Sequence, residues 1–156
     1  MFNKIYIFLI SFIIILFDQL TKFAVSKQLF TGDNVILINK VLSLYKTYNT
    51  GAAFSILQNN TLILIIFSII VSILISIYFI RNRHPAPYLL ILGWGFILGG
   101  TMGNLIDRIR LGYVIDFIKL DFINFPIFNI ADMFINIGAV VILLYLLFAS
   151  RKANTN

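Results

Sequence analysis

Four long apolar runs, at residues 5–25, 61–80, 88–106 and 130–148, leave this chain few folds to choose from. About 20 apolar residues in a helix cross a bilayer core, and each run has that length. Charged residues make up 12% of the 156 positions and hydrophobic ones 60%, whereas soluble domains carry roughly 25% charge. The expected fold is an integral membrane protein, mainly α, with four transmembrane helices. No internal repeat or low-complexity linker interrupts it, so residues 1–156 read as a single domain.

The first run is purely apolar only as far as Phe17, because Asp18, Gln19, Thr21 and Lys22 follow. A cleavable signal peptide is the rival reading, with Lys4 before the apolar stretch and Ala24-Val25-Ser26 as a small-x-small site. A charged segment before that site is unusual for a signal peptide and favours a retained span.

Four spans put both termini on one side together with the short loop 81–85. That side carries Lys4, Arg81, Arg83, Arg151 and Lys152, and the other side spreads seven basic residues over two longer loops. Density of positive charge therefore predicts cytoplasmic termini. All six acidic residues are aspartates, and this orientation puts every one on or near the outer side. The net charge of +6 lies in no Lys/Arg block with interleaved aromatics, so nucleic acid is not an expected partner. Cysteine is absent, which removes disulfides, a thiolate nucleophile and zinc-thiolate sites from consideration.

Between the first two spans, residues 33–57 alternate apolar and polar positions, with turn signals at Asn39-Lys40 and Asn49-Thr50-Gly51. This predicts a small extracytoplasmic antiparallel β-sheet at the interface. A further strand-like piece covers 113–120, and Pro126 precedes the fourth span.

Polar residues within this frame carry the chemistry. Asp18 and Lys22 stand at i and i+4 on one helix face, as a structural ion pair or as one that orders a neighbouring site. Gly95, Gly99 and Gly103 form a ridge without side chains, suited to close helix packing that would fix the polar end from Asn104 to Arg108. Asp107 and Arg108 are adjacent and cannot face each other, so each needs a partner elsewhere, Asp18 or Lys22 among them. A guanidinium fork such as that of Arg108 can also grip a carbonyl or a phosphate.

Asp116 and Asp132 are each flanked by apolar residues, unlike Asp33 and Asp121, which fit solvated loops. A mid-span aspartate costs ~2.5–3.5 kcal/mol, so such residues are functional candidates. Asp132 has a second explanation: it falls in the first turn of the fourth span, where the helix dipole favours a carboxylate by ~0.3–1 kcal/mol, with Asn129 as the N-cap. That account does not extend to Asp116. Two aspartates in one desolvated site share a proton, one activating water and the other donating to a carbonyl oxygen. This is aspartic-peptidase chemistry, which needs no metal or cofactor and no histidine; the only histidine, His84, falls in the cytoplasmic loop. Asn136, one turn deeper on the Asp132 face, reads equally as support for that residue or as interhelical packing.

The segments DQLTK (18–22), NTGAAFS (49–55), GNLIDRIRLGYVIDF (103–117) and FNIAD (128–132) together resemble the lipoprotein signal peptidases, or signal peptidase II, membrane aspartic peptidases of bacteria. The resemblance implies a four-helix enzyme of the cytoplasmic (inner) membrane, acting as a monomer with its site at the outer face. Its substrate would be a diacylated prolipoprotein held by membrane lipid, cut before the diacylglyceryl-modified cysteine. Asp116 and Asp132 fall on the family's catalytic dyad. Asn49, Asn104, Arg108 and Asn129 fall on positions that bind substrate or support the dyad, and Asp18 and Lys22 on its first motif. The residues alone also admit two other functions: a small non-enzymatic channel or transporter with Asp116, Asp132 and Asn136 along an ion path, and a metal-dependent hydrolase.

Overall fold

The computed structural model describes residues 4–51, 57–58, 60–82 and 85–153. Residues 52–55 of the second quoted segment, with Arg83 and His84, lie outside the described residues, as do the side chains of Arg151 and Lys152. Four helices are each long and apolar enough to cross a membrane: α1 (Ile5–Gln28), α2 (Thr61–Arg81), α3 (Tyr88–Leu111) and α4 (Ile130–Ala153). Three strands, β1 (Asn34–Ile38), β2 (Leu42–Asn49) and β3 (Val114–Leu120), form one antiparallel sheet in that order.

The helices outrun the apolar segments. α1 continues to Gln28 rather than residue 25, α3 to Leu111 rather than 106, and α4 to Ala153 rather than 148. The polar stretches toward the ends of α1 and α3 are tied together by an ion pair, Lys22 with Asp107 at 2.9 Å. α3 stops where Gly112 takes φ +82°, a left-handed conformation that glycine adopts without a Cβ clash.

α3 is the central helix, and its glycines let it be so. A Cβ on Gly95 would stand 2.9 Å from the Ile10 side chain, and one on Gly99 would stand 2.9 Å from the Ser11 carbonyl oxygen. The opposite side of α3 meets α4 just as closely, since a Cβ on Gly100 would lie 2.4 Å from the Ala131 carbonyl oxygen. Ser11 Oγ adds a 3.0 Å bond across the α1–α3 seam to the Gly95 carbonyl. α2 completes the bundle through Ile75 and Phe79, packed with Ile7, Ile91 and Leu98.

At one end of the bundle the sheet takes over. β1 and β2 form a hairpin whose turn holds Asn39 and Lys40, the latter at φ +59°. β2 pairs with β3 so that Thr47 faces Asp116 and Asn49 faces Val114. Val25 near the end of α1 packs with Ile115 and Phe117 of β3 and seats the sheet on the helices. Beyond β3 the chain loops out and returns in an isolated antiparallel bridge between Ile118 and Phe128, so Asn129 enters α4 beside the strand that carries Asp116.

Candidate active site

Asn129 and Asp132 start α4 with reciprocal bonds. The Asp132 N–H donates to Asn129 Oδ1 at 3.0 Å, and the Asn129 N–H donates to Asp132 Oδ2 at 3.2 Å. The arrangement is a capping box with Asn and Asp in the places of Ser/Thr and Glu. It satisfies two amides of the helix start and holds the Asp132 carboxylate in one rotamer.

The same asparagine reaches the other aspartate. Asn129 Nδ2 donates to Asp116 Oδ1 at 2.6 Å and to Asn104 Oδ1 at 3.0 Å. Asn49, at the end of β2, donates to Asp116 Oδ2 at 2.9 Å, while its own Oδ1 accepts the Gly51 N–H. Asn104 of α3 donates to Asp132 Oδ1 at 2.7 Å. Three amides from three elements thus fix two carboxylates that are sixteen residues apart in the chain, 116 to 132. Asp116 is 2% exposed and Asn129 fully buried. Burial first, and then the charge of Asp132, push the Asp116 carboxyl up to about 7 against the hydrogen bonds from Asn49 and Asn129.

Behind the asparagines lies a buried ionic cluster. Lys22 Nζ, with its residue 2% exposed, sits 2.8 Å from Asp18 Oδ2, 2.9 Å from Asp107 Oδ2 and 3.0 Å from Asn104 Oδ1. Asp18 accepts the Ala131 N–H through Oδ1 at 3.0 Å, and Asp107 accepts the Ile115 N–H at 3.3 Å. The Asp18–Lys22 pair is thus part of a cluster that ties α1 and α3 to the start of α4 and to β3. A buried pair of this kind stabilises only when its remaining lone pairs and protons are satisfied, and here they are.

Arg108, one residue beyond Asp107, points its NH2 group to the Gly51 carbonyl at 3.1 Å, while its buried Nε has no partner among the described residues. Asn136 is exposed, lines the cavity and forms no hydrogen bond among the described residues; the close α3–α4 approach at Gly100 is to Ala131 and Ile135. Gln19 was missed: its Nε2 donates to Asp107 Oδ1 at 2.9 Å and to the Gly103 carbonyl at 3.2 Å. A side-chain amide inside an apolar span was the signal available for it. Lys46, buried with its Nζ 2.8 Å from the Leu29 carbonyl, left no such signal on its strand.

These groups face a cavity of about 720 Å³ lined by Asn49, Asn104, Arg108, Asp116, Asp132 and Asn136, with apolar side chains such as Phe128 and Ile135 between them. It offers paired carboxylates, amide donors and an unsatisfied guanidinium N–H. Among the described residues, no three His, Cys, Asp or Glu side chains gather as a metal site.

A family model described as signal peptidase (SPase) II matches residues 10–148. The lipoprotein signal peptidase of Enterococcus faecalis is 38% identical over 146 residues, covering 94% of this chain and 90% of that one. Its counterpart in Streptococcus agalactiae serotype Ia is 38% identical over 154 residues, 99% of each chain. A solved bacterial membrane enzyme structure, obtained by the in meso method at 2.3 Å resolution, superposes with a TM-score of 0.85 at 33% identity, covering 92% of this chain and 88% of that one. With this extent of match in sequence and in fold, the chain belongs to the signal peptidase II family.

Proposed function

We propose that this protein removes the signal peptide from prolipoproteins, cutting before the diacylglyceryl-modified cysteine by a water activated between Asp116 and Asp132. The observation that carries the reading is the pair of carboxylates, Asp116 buried and Asp132 half-buried, held on one cavity wall by Asn49, Asn104 and Asn129. Family membership supports the substrate class and sets aside the channel reading.

Asp116, pushed up to about 7, is suited to carry the shared proton at neutral pH. Asp132 then takes a proton from water as the water oxygen bonds to the scissile carbonyl carbon. Asp116 gives its proton to the carbonyl oxygen, and a neutral tetrahedral diol results. On collapse Asp132 returns its proton to the peptide nitrogen, the C–N bond breaks, and Asp116 recovers a proton from the diol as the new carboxyl forms. Arg108, with one N–H unsatisfied, would hold a substrate carbonyl beside the dyad.

The substrate arrives in the membrane, so the proposed setting is the bacterial cytoplasmic membrane with the sheet end outward and the enzyme acting as a monomer. In detergent, with a diacylated prolipoprotein as substrate, Asp116→Asn and Asp132→Asn should each fold and lose at least 10²–10⁴-fold in rate, the usual worth of a general acid or base. Complete processing by either variant would sink the reading.

A further inference from the structure

Asn136 is the one residue of the α4 cavity wall whose polarity nothing in the protein accounts for. The helix around it is apolar, yet its amide is exposed, lines the cavity beside Ile135, and has no hydrogen-bond partner among the described residues. A polar side chain within a span that has no partner among the described residues and opens onto a cavity is a candidate to meet what enters that cavity. The close α3–α4 approaches at Gly93 and Gly100 are to Ala131, Ile135, Gly138 and Ile142 rather than to Asn136, which is exposed. Support of the dyad does not use it, because both aspartates draw their bonds from Asn49, Asn104 and Asn129.

Its place along the helix says what it would meet. Four residues of helix rise put it about 6 Å deeper into the bundle than Asp132. An extended chain covers that distance in about two residues. On the reading above, the signal peptide enters from the membrane side and must lose its helical bonds to lay a peptide group against the carboxylates. The residues just before the scissile bond are then left with unpaired N–H and C=O groups in a poorly hydrated place. A carboxamide carries both an acceptor and donors and can pair with such a backbone.

We infer that Asn136 is a substrate-binding residue whose carboxamide oxygen accepts a backbone N–H one or two residues before the scissile bond. The inference rests on the signal-peptidase reading of the site and adds to it a contact on the non-lipidated side of the cut. Specificity of that side would then depend on a backbone that can unwind at this point, rather than on a side-chain pocket alone.

The test uses the full chain in detergent with three synthetic diacylated substrates, one normal and two in which one or the other of the two peptide bonds before the scissile bond is replaced by an ester, which lacks the N–H. Asn136→Leu matches the apolar helix around it and should melt as the wild type does. It should lose about tenfold in kcat/KM on the normal substrate, the order of one hydrogen bond in a dry site. One ester should cost the wild type a similar factor and cost Asn136→Leu nothing further, and Asn136→Gln should recover part of the rate. Wild-type kinetics in Asn136→Leu, or losses that multiply for both esters, would overturn the inference and leave the dyad standing. A wild type that leaves the normal substrate intact would overturn the peptidase reading and this contact with it.

Discussion

Asn129 serves the helix and the site with different atoms, so the two duties can be separated by substitution. Its Oδ1 caps α4 and its Nδ2 holds Asp116 and Asn104. Serine is as good an N-cap as asparagine but has no amide to reach Asp116. Asn129→Ser should therefore melt above Asn129→Ala in detergent while prolipoprotein cleavage falls sharply in both; the alanine variant loses in addition the contribution of the cap, about 0.5–2 kcal/mol. Equal rates in Asn129→Ser and the wild type would remove Nδ2 from the site. The pH profile belongs to the same scale. Because the Asp116 carboxyl is pushed up to about 7, it is protonated on the acid side of that value and ionised on the alkaline side. A dyad that works with one shared proton should show kcat/KM falling as pH rises through about 7, the limb belonging to the pair rather than to one residue. A rate still flat well above that value would argue against a protonated Asp116.

At the scale of elements, the position of the site depends on how near α3 lies to its neighbours. Gly100 is the tightest point, with the Ala131 carbonyl oxygen 2.4 Å and an Ile135 side-chain carbon 2.7 Å from where its Cβ would be. The obstacle at the shorter distance is backbone of the turn that carries Asp132, so it cannot swing aside. Gly100→Ala should push the start of α4 away from Asn104, lowering stability by about 1–3 kcal/mol and reducing cleavage, as read by detergent melting and initial rates. Glycine spacing made the α1 side of this packing legible in the sequence, and run length made the four helices legible. The α4 side was not anticipated: Gly93 and Gly100 meet Gly138 and Ala131, and no four-residue repeat links them to the ridge that meets α1. Within one helix, i and i+4 spacing announced Asp18 with Lys22. The link from Lys22 through Asn104 to Asp132 crosses three helices, and only the folded distances reveal it. Likewise, the flanking residues marked Asp116 and Asp132 as unusual, but the Ile118–Phe128 bridge that sets them side by side has no sequence pattern of its own.

Across the whole molecule, the cavity, the sheet and the ionic cluster all occupy one end of the bundle, so the side of the membrane that this end faces decides which substrates can reach it. The opposite end has Lys4 and Arg81 near the α2–α3 turn, with Arg83, Arg151 and Lys152 completing the basic set in the sequence. On the proposed orientation the short basic loop and the termini stay in the cytoplasm and the sheet end faces outward. Exposed apolar side chains on β1, Val35 and Ile36 among them, suit an element resting against the outer headgroup layer rather than in open solvent. The chain has no cysteine, so a single introduced thiol reports its own location without background. Asn39→Cys marks the β1–β2 turn and Pro85→Cys the α2–α3 loop, both exposed and both away from the cavity. In intact cells a membrane-impermeant maleimide should label Asn39→Cys and leave Pro85→Cys untouched until the membrane is broken. The reverse pattern would place the carboxylates on the cytoplasmic side, where a signal peptide crossing outward does not present its cleavage point, and would refute the proposed site of action.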